Sequence, residues 1–184
     1  MVRIIFLDID GVICCNHKMN LEASKLERLR AIILHTGSNV VISSNWRNYP
    51  KLLEKLLITL KLYNIPCLGC TPNIATTDSM NRPKEINSWI RTWQKEKKTF
   101  ITKYIAIDDR YLLSEEGGGS LKNRFVQTSF PQGLTHERAQ EAIRLLGDSK
   151  YKPVVEQISK IPRVYCRNKH GRFIPMLESL SSSV

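Results

Sequence analysis

The sequence predicts an α/β fold: a mostly parallel sheet flanked by helices. Three observations carry this. Short apolar runs at Ile4–Leu7, within Asn39–Ser43 and at Tyr104–Ile107 do not alternate with polar residues, so they read as strands buried on both faces. The stretches between them space their apolar residues at the helical period. Strands and helices alternate along the chain, which favours parallel pairing through crossover helices.

The first strand runs into Asp8-Ile9-Asp10-Gly11, where it cannot continue. Asn20 can cap a helix carrying Leu21, Leu26, Leu29, Ile32 and Ile33, which Gly37 closes. The second strand ends in Ser43-Ser44-Asn45-Trp46-Arg47. Pro50 suits a first helical position, and Leu52, Leu53, Leu56, Leu57 and Leu60 give the next apolar stripe. A short strand is expected near Cys67–Leu68, inside an otherwise irregular stretch up to Arg82. Pro83 opens a third helix with Ile86, Trp89, Ile90 and Trp93 on one face.

The strand Lys103–Ile107 leads into Asp108-Asp109-Arg110, and Glu115–Gly119 reads as a mobile loop by composition. Arg124–Gln127 is a short strand, and Thr135 caps a helix that Gly147 stops. Beyond Asp148 the rhythm changes. Residues 148–184 are basic and read as an appendage packed on the same domain, with a hairpin from Arg163 to Ile174.

At 184 residues, one domain with a sizeable core is expected. No run of 18 apolar residues marks a membrane span, and no signal peptide is legible. Five cysteines without scaffold-like spacing suit a reducing interior, so a cytoplasmic location is expected, with no membrane partner. The formal charge of +11, from 28 Lys+Arg against 17 Asp+Glu, points to polyanionic partners or phosphorylated substrates. Lys150, Lys152, Lys160, Arg163, Arg167, Lys169 and Arg172 concentrate that charge near the end.

Ligands of open α/β sheets bind at the carboxyl ends of strands, where Asp8 and Asp10 stand. Their mutual repulsion would be costly without a cation between them. Asp108 and Asp109 supply the same oxygen chemistry at another strand end, of the kind Mg²⁺ requires.

The stretch D-I-D-G-V from Asp8 to Val12 resembles the first motif of the haloacid dehalogenase (HAD) superfamily of phosphohydrolases. That resemblance implies a Rossmann-like, HAD-like fold. It implies that Asp8 attacks phosphorus and forms an aspartyl-phosphate, while Asp10 protonates the leaving oxygen and then activates water. Asp8, Asp10 through its carbonyl, Asp108 and Asp109 would surround Mg²⁺, with Asp109 in an outer role or orienting Lys84. The phosphate-binding hydroxyl would be Ser43 or Ser44. Ser44-Asn45-Trp46 fits a hydroxyl-x-Trp pattern better, although strand alternation lets only one of the two face the site. Lys84, at a helix start, would neutralise the phosphate and the nucleophile.

Trp46-Arg47, Lys84 followed by Trp89, and Gly133-Leu134-Thr135 resemble the HAD domain of Swiss-army-knife RNA repair proteins. The resemblance spans roughly Val2 to Gly147, so residues 1–147 read as the catalytic domain. Neither gap that could hold a cap insertion is long enough for a cap domain. Cys67-x-x-Cys70 and Cys166-x-x-x-His170 have zinc-like spacings, but two loop thiols and an unrelated tail pair explain them better.

The function expected is that of a Mg²⁺-dependent phosphatase, with terminal phosphates of RNA or DNA as substrates. The alternatives are a nucleic-acid-binding or adaptor protein with a weak site, and a phosphatase of small metabolites or phosphoproteins.

Overall fold

A computed structural model describes residues 2–74, 81–147, 165–167 and 173–175. The chain divides into two compact units, Met1–Tyr151 and Lys152–Val184.

The first unit is built on five parallel strands: β1 (Val2–Leu7), β2 (Asn39–Ile42), β3 (Cys67–Cys70), β4 (Ile101–Asp108) and β5 (Phe125–Gln127). Their order is β3-β2-β1-β4-β5, so β1 is the central strand. This explains its unbroken apolar run, since Ile4, Ile5, Phe6 and Leu7 are all fully buried. The helices are α1 (Ala23–Thr36), α2 (Pro50–Leu62), α3 (Arg82–Lys97) and α4 (His136–Leu146). Among the described residues no cap domain interrupts this α/β unit, and no helix is long and apolar enough to cross a membrane.

Side chains alternate across β1, so its two faces are served separately. Ile4 and Phe6 share a cluster with Val41, Ala106, Leu112, Leu121 and Ile86 of α3. Trp89 of α3 meets Phe6 edge-on at 5.5 Å and stacks on Trp93 at 5.0 Å, so this aromatic stripe is core rather than a binding platform. Elsewhere α1 packs on α4, and α4 packs on β4 and β5. Each large side chain buried in this way stabilises the fold by roughly 1.5–3 kcal/mol.

Three local expectations need correction. Helix α1 starts at Ala23 with no side-chain cap, not at Asn20. Asn20 closes a loop with Asn16 instead, while Glu22 accepts the Cys15 amide at 2.9 Å. The strand β4 starts two residues before Lys103. The Glu115–Gly119 stretch is organised between two 3-10 turns, Leu112–Ser114 and Gly118–Leu121. Glu115 is buried against Arg110, and a Cβ at Gly118 would lie 2.3 Å from the Leu112 carbonyl oxygen. Glycine serves close packing at Gly118, whereas a Cβ at Gly119 would meet nothing within 4 Å.

In the second unit, Tyr165–Arg167 (β6) and Phe173–Pro175 (β7) pair antiparallel with Cys166 opposite Ile174, as a hairpin requires. The expected packing of the appendage on the core, and the Cys166 and His170 side chains, lie outside the described residues.

Candidate active site

The strands β1 and β4 are adjacent and in register, Leu7 opposite Ile107, so Asp8 and Asp108 leave the sheet side by side. The Asp8 amide donates to the Ile107 carbonyl at 3.0 Å, which extends the ladder to the acid itself. Both carboxylates are buried, Asp8 at 5% exposure and Asp108 at 1%. Two buried like charges this close need a counter-charge. Arg82 provides it. Its Nη1 lies 2.8 Å from Asp8 Oδ2 and 2.6 Å from Asp108 Oδ2, and the residue is only 4% exposed.

The second acid of each pair is more open. Asp10 is exposed, and its Oδ2 accepts the Trp46 indole N–H at 3.0 Å. Asp109 is half-buried against the turn that follows Asp10. That turn is tight: the amides of Val12, Ile13 and Cys14 all reach back to the Ile9 carbonyl. Gly11 sits at φ +66, and a Cβ there would lie 2.2 Å from Asp109 Oδ2. Glycine is required twice over, for its left-handed backbone and for the approach of Asp109. Thr128, just past β5, anchors the turn by donating to the Gly11 carbonyl at 2.8 Å.

Burial raises the Asp10 pKa, the Trp46 bond offsets part of that rise, and the charges of Asp8 and Asp109 add to it. Burial, then the Asp8 charge, raises Asp109. Burial pushes Asp108 up to about 7, against the pull of Arg82, with the Asp8 charge adding to the rise. For Arg82, burial opposes the charge, but Asp8 and Asp108 outweigh it and hold the guanidinium protonated. Asp10, Asp108 and Asp109 therefore resist ionisation.

Both candidate hydroxyls lie at the end of β2, where the Ser43 amide donates to the Leu7 carbonyl at 2.8 Å. Ser44 caps a 3-10 turn, Asn45–Asn48, by accepting the Trp46 amide at 3.4 Å. The Ser43 hydroxyl is buried and has no hydrogen-bond partner among the described residues. Its donor is therefore uncommitted, whereas Ser44 Oγ is already held in place.

Among the described residues the ion pairs of Asp8 and Asp108 are with Arg82, not with Lys84. Lys84 pairs with Glu116 and is 36% exposed. The reason is helical phase. Lys84 follows Arg82 by two residues, about 200° around a helix of 3.6 residues per turn. Arg82 is the residue that sequence reasoning missed. It lies four residues before Ile86, on the same stripe as Trp89 and Trp93, and that position was the available signal. A further buried pair fixes the same helix: Arg47 Nη2 meets Glu85 Oε1 at 2.7 Å, and Arg47 Nη1 donates to the Ser44 carbonyl at 2.9 Å.

One oxygen each of Asp8, Asp108 and Asp109 lies within 4.8 Å of the others, a spacing that can hold a metal ion. The donor set suits a hard divalent cation. The charge count agrees: four carboxylates face one guanidinium, and a divalent cation would offset two of the three charges left over. Asp10 is not in this carboxylate trio, in keeping with a contribution through its backbone. Cys67 and Cys70 join no comparable cluster among the described residues, and Cys67 Sγ lies 3.6 Å from the Gly69 carbonyl.

A parallel sheet whose central strand ends in D-x-D-G, beside a second acidic pair and a buried cation, has the architecture of HAD-like α/β domains. Within that class, residues 4–139 match the family described as the HAD domain in Swiss Army Knife RNA repair proteins, and the chain belongs to it. No curated protein and no solved structure matches the chain.

Proposed function

We propose that the chain is a Mg²⁺-dependent phosphomonoesterase that works through an aspartyl-phosphate on Asp8 and takes terminal phosphates of RNA or DNA. The observation that carries the chemistry is the division of labour within Asp8-Ile9-Asp10. One acid is buried and held on one oxygen by Arg82, and the other is exposed and held by an indole. An Asp8 oxygen bonds to phosphorus as the ester P–O bond breaks, and Asp10 gives its proton to the departing oxygen. Water then attacks phosphorus, Asp10 takes the water proton, and the Asp8–phosphorus bond breaks to release phosphate.

Arg82 and the Ser43 or Ser44 hydroxyl bind phosphate oxygens, and Asp8, Asp108 and Asp109 hold the metal. Mg²⁺ supplies charge neutralisation for the equatorial oxygens. The substrate class is supported by the +11 charge, by the RNA repair context in the family's description, and by the lack of a cap domain among the described residues. The unpaired thiols Cys14, Cys15, Cys67 and Cys70 suit a cytoplasmic setting.

The test is a panel of phosphorylated oligonucleotide ends, phosphopeptides and sugar phosphates, with Mg²⁺ and with chelator. Turnover should need Mg²⁺ and should favour oligonucleotides. Affinity for them should fall with salt by about 0.7 log units per log unit for each single-strand phosphate contacted. A flat salt response with preferred turnover of sugar phosphates or phosphopeptides would leave the small-substrate or phosphoprotein reading standing. Tight oligonucleotide binding without turnover would leave the adaptor reading.

A further inference from the structure

The geometry points to Trp46 as the positioning residue for the proton-transferring acid, an inference that rests on the phosphatase reading above. Its indole Nε1 donates to Asp10 Oδ2 at 3.0 Å. That carboxylate is exposed. Left alone, it would rotate toward water. The indole prevents this because it is itself immobile. Trp46 is 2% exposed, its amide donates to Ser44 Oγ, and its carbonyl accepts the Tyr49 amide at 3.1 Å.

The hydrogen bond also decides which oxygen can carry a proton. An N–H donor occupies a lone pair of Oδ2 and disfavours a hydroxyl there, so the proton of a neutral Asp10 sits on Oδ1. The indole thus fixes both the plane of the carboxyl and the oxygen that delivers the proton. It does so from the turn at the end of β2, two residues beyond Ser44. The turn after the chain's second strand and the acid in the turn after its first become one rigid unit, which is what proton transfer over a short distance requires.

A buried indole also needs an acceptor for packing reasons alone, so the test must separate the two roles. Trp46→Phe keeps a ring in the core and removes the N–H. The readout is kcat/KM, which covers the steps up to departure of the leaving group, for an alkyl phosphate and for p-nitrophenyl phosphate. Nitrophenolate leaves without a proton and the alkoxide does not. The loss on the alkyl ester should exceed the loss on the nitrophenyl ester by on the order of 10-fold, part of the 10²–10⁴ that a general acid contributes. In an Asp10→Asn background, Trp46→Phe should add no further loss on the alkyl ester, since the two act as one.

Equal losses on both esters, no loss on either, or full additivity with Asp10→Asn would overturn the inference. If circular dichroism shows that Trp46→Phe is unfolded, benzothienylalanine at position 46 keeps the indole shape and still lacks the donor, with the same expected pattern. A wild-type chain without turnover on any phosphate ester would overturn the phosphatase reading, and this inference with it. Wild-type turnover that Asp10→Asn lowers and Trp46→Phe leaves alone would overturn the inference only.

Discussion

The ends of β1 and β4 carry two acids each, and the two pairs are treated alike up to a point. In both, the first acid is buried and bound by Arg82, and the second is more open. The difference lies in what holds the second. Asp10 has an indole donor from the end of β2, while Asp109 is wedged against the Gly11 turn and shares a candidate metal cluster with Asp8 and Asp108. Identical side chains at neighbouring strand ends thus sit in different surroundings, an indole donor at Asp10 and a carboxylate cluster at Asp109, which under the proposed function would suit proton transfer in the first and cation binding in the second. Environment, not residue type, assigns the role.

The largest test of this asymmetry is Asp8→Asn against Asp108→Asn. Removal of a nucleophile should lower kcat by on the order of 10⁴-fold or more, whatever the Mg²⁺ concentration. Asp108→Asn should respond instead to added Mg²⁺, with part of the lost turnover regained at high concentration. Parallel Mg²⁺ titrations of the two variants would show whether the β1 and β4 ends differ as described.

Removing the cation that joins the two ends comes next. Arg82→Ala takes the guanidinium from the buried Asp8 and Asp108, leaving Asp108 only the Arg110 amide, and should destabilise the fold by about 3–5 kcal/mol, measured by urea unfolding. Arg82→Lys should recover part of this, since a point charge replaces a guanidinium.

A pH series separates the metal side from the rest. In the metal-free protein the folded Asp108 pKa lies near 7, above its unfolded value. A raised carboxyl contributes stability that is full below the unfolded pKa and is lost as pH rises through the folded one. Thermal midpoints in chelator should therefore fall between about pH 4 and 7. Mg²⁺ should raise the midpoint more at pH 8 than at pH 5. A midpoint shift by Mg²⁺ that is the same at both pH values would contradict a cluster that resists ionisation.

The hydroxyls sharpen the comparison at the neighbouring strand end. Ser43→Ala should lower kcat/KM about 10-fold through one lost hydrogen bond to a charged phosphate, with little effect on stability. Ser44→Ala should also lower thermal stability, because it removes a cap worth about 1 kcal/mol. The smallest effect is expected from Lys84→Ala. Its partner Glu116 is a surface residue, such pairs contribute about 0–1 kcal/mol, and kcat should stay within about twofold of wild type. A large loss of kcat in that variant would return Lys84 to the catalytic role that its place in the sequence suggested.

The fold was legible because its signals are local. Ile4–Leu7 and Tyr104–Ile107 read as buried strands, and they are buried strands. Asp8, Asp10, Asp108 and Asp109 were legible because chain reversal after a buried strand places polar residues at one edge of the sheet. The Arg82–Asp8 contact was not legible in the same way. It joins residues far apart in the chain, and the neighbouring R-P-K offers two cations at one helix start. Only the phase of Ile86, Trp89 and Trp93 separates them, since Arg82 falls on that stripe and Lys84 does not. The roles of Ser43 and Ser44 also needed coordinates, because the cap that engages Ser44 depends on a 3-10 turn which the sequence does not announce.

The buried Arg47–Glu85 pair has a consequence for what insertions the chain can bear. Glu85 lies three residues after Arg82, on nearly the same side of α3, and Arg47 keys that side to the loop after β2. The pair acts as a spline on a shaft: it sets the rotation of α3 about its axis. One residue added between Arg82 and Glu85 would turn the guanidinium by about 100° relative to the key and swing it off both carboxylates. Length variation is thus excluded from the four residues Arg82–Glu85, and any change of loop length before α3 must end by Asn81, whose carbonyl accepts the Glu85 amide at 3.0 Å.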